Sequence, residues 1–63
     1  MKTKAQALSE LASYRHDATR AARAEGYRIE SRAETWEVMI ATWLDEGAID
    51  QATADAWRKS GPR

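Results

Sequence analysis

The chain has no cysteine and only one histidine, His16. Disulfide staples are therefore excluded, and a structural zinc site has neither thiolates nor enough imidazoles to form. Small domains usually lean on such devices or on oligomerisation. Here the fold has to rest on helix packing, on self-association or on a partner. Phenylalanine is absent as well. The only proline is Pro62, beyond every helical stretch, so no helix interior is interrupted. No apolar run approaches the roughly 20 residues that span a bilayer. Met1–Leu11 mixes Lys, Thr, Gln and Ala and does not resemble a secretory leader. With no thiols to oxidise, the expectation is a cytoplasmic protein with no membrane partner. No segment alternates apolar and polar residues long enough to read as a strand.

What remains reads as an all-α, small three-helix bundle in a single helical domain, residues 1–63, with helices at about 3–25, 32–46 and 51–59. Each of the three glycines, Gly26, Gly47 and Gly61, falls where a helical pattern stops, the position that favours left-handed backbone. Thr3 is placed to cap the first helix. Its expected inner stripe is Leu8, Leu11, Ala18 and Ala22, flanked by Ala7, Tyr14 and Ala21. Ser31 followed by Glu34 matches a capping box at the start of the second helix. That helix then carries Trp36, Met39, Ile40, Trp43 and Leu44 at i, i+3, i+4, i+7 and i+8, the strongest amphipathic pattern in the chain. Asp50 is the expected cap of the third helix, with Ile49 before it as a hydrophobic staple. Ala52, Ala56 and Trp57 make its expected inner face.

Bulky apolar residues are few. So thin a core leaves a chain of this size marginally stable as a monomer, and the sequence points to a bundle completed by dimerisation or by binding.

Net charge is zero, but the charges are segregated. Met1–Arg32 holds seven basic and four acidic residues, whereas Ala33–Trp57 holds six acids and no Lys or Arg. Such asymmetry speaks of partners rather than of fold. Glu34, Glu37, Asp45 and Glu46 form the candidate partner-binding acidic face. Trp36 and Trp43 are candidate aromatic anchors, because Trp is enriched at interface hot spots. Core filling competes with that role and is expected to claim at least two of the three tryptophans. Arg15, Arg20, Arg23, Arg28 and Arg32 are the candidate phosphate contacts of a nucleic-acid binder, although Asp17, Glu25 and Glu30 are spaced to pair with them.

Nucleophilic catalysis would need a base, and only His16, three residues from Ser13, is available. It lies on a polar helix face and reads as a solvated side chain. A helix-turn-helix reader is disfavoured, since Asp50 and Asp55 on the would-be recognition helix would repel phosphates. The resulting expectation is a non-enzymatic protein–protein interaction module without metal or cofactor. It would form a homodimer or dock on a larger protein as a regulatory accessory or inhibitor. Nucleic-acid association is the second choice.

Overall fold

A computed structural model describes all 63 residues. Three helices follow one another: α1 (Lys4–Glu25), α2 (Arg32–Asp45) and α3 (Gln51–Ser60). Each expected cap is in place. Thr3 accepts from the Gln6 N–H, and the Gln6 side chain returns a bond to the Thr3 N–H, completing a capping box. Ser31 and Glu34 form the second box. Asp50 Oδ1 accepts from the Thr53 N–H at 2.8 Å and starts α3.

The helix ends follow equally from local chemistry. Gly47, with φ of 76°, lets the chain reverse after α2. The Ala48 N–H then reaches Trp43 O and the Gly47 N–H reaches Leu44 O, the paired bonds of a Schellman ending. This turn aims Ile49 inward, just ahead of the Asp50 cap. Ile49 and Ala54 are both buried, the staple arrangement that fixes how α3 leaves the turn.

α1 and α2 run antiparallel. Arg15 meets Thr35 near the start of α2, while Lys2 lies against Trp43 and Ala48 near its end. α3 packs mainly on α2. The shared core consists of Ala7 and Leu11 from α1, Trp36, Ile40 and Trp43 from α2, Ile49, and Ala54 and Trp57 from α3. Leu8, Met39, Leu44 and Ala48 close its edges. The three indoles touch one another. Trp36 stacks on Trp57 with centroids 5.8 Å apart, and Trp43 meets both edge-on at 5.7 and 6.1 Å. The Trp36 indole N–H donates to Trp57 O at 3.0 Å, so this buried donor is satisfied.

Two inner faces differ from expectation. On α3 the buried residues are Ala54 and Trp57, with Thr53 half-buried, while Ala52 and Ala56 face solvent. Alanine carries little phase information, and the Ile49 staple together with the bond from Trp36 to Trp57 O sets the rotation of the helix instead. On α1, Ala7, Leu11 and Ala22 are buried and Leu8 and Ala18 half-buried, but Tyr14 and Ala21 are exposed. Tyr14 lies beside the start of α2, since the adjacent Arg15 meets Thr35, yet its ring stays at the surface. At about 1.5 Å per residue, α1 outruns the shorter α2. The molecule is accordingly elongated, 38 × 20 × 18 Å. Its accessible surface of 4378 Å² slightly exceeds the roughly 4,100 Å² typical of a folded chain of this mass.

Two expected outcomes follow from the core and the caps. Trp36→Phe removes the indole donor and part of the ring volume. It is expected to lower unfolding stability by about 1–3 kcal/mol, the sum of one hydrogen bond and a small cavity, read as a lower urea midpoint at unchanged slope. The second outcome concerns acid. The hydrogen bonds from Thr53 hold the Asp50 carboxyl below its ordinary value of 3.8. Its contribution is therefore present above that value and is lost as pH falls through the lowered one. Asp50→Asn, which keeps a neutral cap, is expected to flatten that part of the acid unfolding curve.

Candidate functional site

The tryptophans are inside. Trp36, Trp43 and Trp57 are 2%, 5% and 8% exposed, so neither aromatic candidate presents its ring to a partner in this conformation. Their apolar area is spent on holding the three helices together. The large apolar side chains left at the surface are Met1, Tyr14, Tyr27 and Val38.

The acidic candidates all lie at the surface of α2 or at its end, but they are not equivalent. Glu37 Oε1 accepts from Arg58 Nε at 2.7 Å, an ion pair that ties α2 to α3. Glu34 is engaged at its own helix start through the Ser31 N–H, and no basic group neutralises it. Asp45 and Glu46 form no ion pair. Along the outer side of α2, Glu34, Val38, Ala41 and Asp45 recur at i, i+4, i+7 and i+11, and all four are exposed. This is a second stripe, opposite the tryptophan face, with a small apolar centre and a carboxylate at each end.

The five arginines divide. Arg15 turns inward, where its Nη1 donates to Glu30 O at 2.9 Å and to Thr35 Oγ1 at 2.8 Å. Arg32 donates to Pro62 O and holds the C-terminal tail. Arg20, Arg23 and Arg28 have no ion pair at all. The sequence spacing had Asp17, Glu25 and Glu30 available to neutralise them. Asp17 instead lies 3.6 Å from His16, and Glu25 and Glu30 form no ion pair. Three unpaired guanidinium groups thus sit on the part of α1, and of the loop beyond it, that extends past α2.

His16 is 70% exposed at its side chain and has only Asp17 beside it. A base so hydrated is not oriented toward any nucleophile. The main concavity is an open groove between the N-terminal segment and the α2–α3 turn, lined by Lys2, Gln6, Glu10 and Ala48 among others. It contains no histidine and no oriented nucleophile–base pair. No three His, Asp or Glu side chains converge closely enough to hold a metal ion.

Two positioning residues had no sequence signal. Thr35 is 1% exposed, and its hydroxyl bonds back to Ser31 O at 3.0 Å while accepting from Arg15. Lys2 lies 5.2 Å from the Trp43 ring centroid, pairs with Glu10, and donates its backbone N–H to Ala48 O. Both tie a loop or terminus to the core across a long stretch of chain, which local spacing does not reveal.

Thr35→Val keeps the volume and removes the acceptor from Arg15. Because the lost bond involves a charged donor, a cost of about 1.5–3 kcal/mol is expected. Amide exchange is expected to rise first in Gly26–Glu30, the segment that Arg15 anchors.

No family model matches this chain, and no curated protein or solved structure matches it either.

Proposed function

We propose that this chain is a non-enzymatic protein–protein interaction module that acts through its charged outer faces, by self-association or by docking on a larger protein as an accessory or inhibitor. The observation that carries the reading is the pattern of unpaired charge. The chain holds equal numbers of acidic and basic residues, yet the arginines on the arm of α1 that extends past α2, and on the loop beyond it, do not neutralise the α2 acids within the molecule. Arg20, Arg23 and Arg28 are left at one end, and Glu34, Asp45 and Glu46 along α2. A folded chain with both surfaces unsatisfied offers complementary potentials to a protein partner, which is what steers and orients docking. The exhausted tryptophan core supports the same reading. Binding has to use the rim chemistry of Val38, Tyr14 and Tyr27 with flanking charges, which suits a moderate, salt-sensitive contact.

Nucleic-acid binding through the arginines is the competing reading. Arg15 and Arg32, two of the five candidate contacts, are committed inside the molecule, which shortens the basic stripe. A polyanion ligand would release counterions and show a steep salt slope.

The deciding experiment is capture from lysate by the immobilised chain, with and without nuclease. A protein retained in about stoichiometric amount after nuclease, and weakened at least about tenfold by Glu34→Gln/Asp45→Lys, is the expected result; a tenfold loss corresponds to about 1.4 kcal/mol. Retention of nucleic acid alone, abolished by Arg20→Glu/Arg23→Glu, would replace this reading with the competing one.

A further inference from the structure

Resting on the interaction reading above, we propose that the partner of the outer α2 face is a second copy of this chain, which lays the arginine side of its α1 arm along Glu34, Val38, Ala41 and Asp45 in a head-to-tail contact. The two surfaces fit by spacing. His16, Arg20 and Arg23 recur at i, i+4 and i+7 on the exposed side of α1, and the α2 stripe follows the same rhythm. At 1.5 Å per residue, the arm stripe is about 10 Å long and the α2 stripe about 16 Å, so one lies within the other. The aliphatic stems of Arg20 and Arg23 cover Val38, which is 60% exposed, while their guanidinium groups reach the carboxylates at its ends. Arg28, on the loop just past the arm, adds a third cation on the same end of the molecule.

The hand of the contact follows from where the two stripes sit. On α1, Arg20 comes nine residues after the buried Leu11, half a revolution away at about 100° per residue. On α2, Val38 lies about 160° around the helix from the buried Ile40. Each stripe therefore points away from the core, and the two point away from each other on opposite sides of the hairpin. A two-fold dimer must present the same patch on both subunits to one partner. Surfaces on opposite sides cannot both be covered by a single neighbour. Pairing of two α2 faces is disfavoured as well, because an antiparallel match sets Glu34 against Asp45. The contact that remains is heterologous. It leaves one free surface at each end, and assembly continues past the dimer or closes into a ring. This departs from the homodimer that the sequence suggests.

The test is sedimentation of the full chain over a wide concentration range at low salt and at about 1 M salt, where the screening length falls to about 3 Å. The expected result is mass that grows beyond the dimer at low salt and returns to monomer at high salt. Arg20→Glu/Arg23→Glu and Glu34→Gln/Asp45→Lys are each expected to sediment as monomers, and their equimolar mixture to associate again. All four positions are exposed, and Gln at 34 preserves the capping bond, so far-ultraviolet circular dichroism of both variants is expected to match the parent. A parent chain that stays monomeric at low salt overturns the proposal. So does a species that stops at dimer, or an association that neither variant weakens. A chain that is monomeric in this test but still captures a protein through α2 in the lysate experiment ends the self-association proposal alone and leaves the interaction reading in place.

Discussion

The Trp36 indole N–H reaches across to the carbonyl of Trp57, and the arrangement of the rest of the molecule depends on that one bond and the ring stack around it. α3 has ten residues, too short to persist as a helix without tertiary contacts. Trp57 and Ala54 are its only buried residues. The stack locks the helix against α2, and the hydrogen bond fixes its depth and rotation by tying a side chain to a backbone atom. The same carbonyl also accepts from the Gly61 N–H at the end of the helix, so the α3 cap and the α2–α3 packing share an atom. With α3 placed, Arg58 meets Glu37, Lys4 reaches Ser60, and the tail comes within range of Arg32.

A core this thin also decides what is left for the surface. Ten of 63 residues are buried, the three indoles among them, while both tyrosine rings stay at the surface. Recognition then has to rely on charged side chains and on the few exposed apolar residues. Glu34, Asp45 and Glu46 of α2 form no ion pair with Arg20, Arg23 and Arg28 on α1 and the loop beyond it. Local pairing, the usual fate of interleaved charges on one helix, does not neutralise them. The interaction role proposed for the chain depends on this separation, and so does the head-to-tail geometry proposed for its self-contact.

The three helices, their caps and their stops were legible because each is written in adjacent residues. Thr3, Ser31 with Glu34, and Asp50 need only their own neighbours to act, as do the glycines that reverse the chain. The α2 core face was legible for the same reason, since large residues at helical spacing carry a clear phase. The inner faces of α1 and α3 were harder to read. They are lined mainly by alanine, and whether an alanine is buried depends on how far a neighbouring helix reaches. Tyr14 is exposed although its neighbour Arg15 reaches Thr35 of α2, a placement that tertiary packing sets and local spacing does not. The charge segregation was visible in the sequence, but its fate was not. That Arg15 and Arg32 turn to backbone carbonyls while Arg20, Arg23 and Arg28 remain unpaired follows from tertiary placement. That the core takes all three tryptophans, where at least two were expected, follows from their meeting at a single point.

That meeting point has an optical consequence. Three indoles within 5.7–6.1 Å of one another, one pair stacked and two edge-to-face, are close enough for their electronic transitions to mix. The near-ultraviolet signal of this chain therefore belongs to the cluster as a whole and not to separate chromophores. One indole comes from α3 and two from α2, and Lys2 from the N-terminal segment lies over the Trp43 ring. A change in the seating of any of these elements alters the coupling, so the protein carries a built-in, label-free reporter of its own tertiary closure.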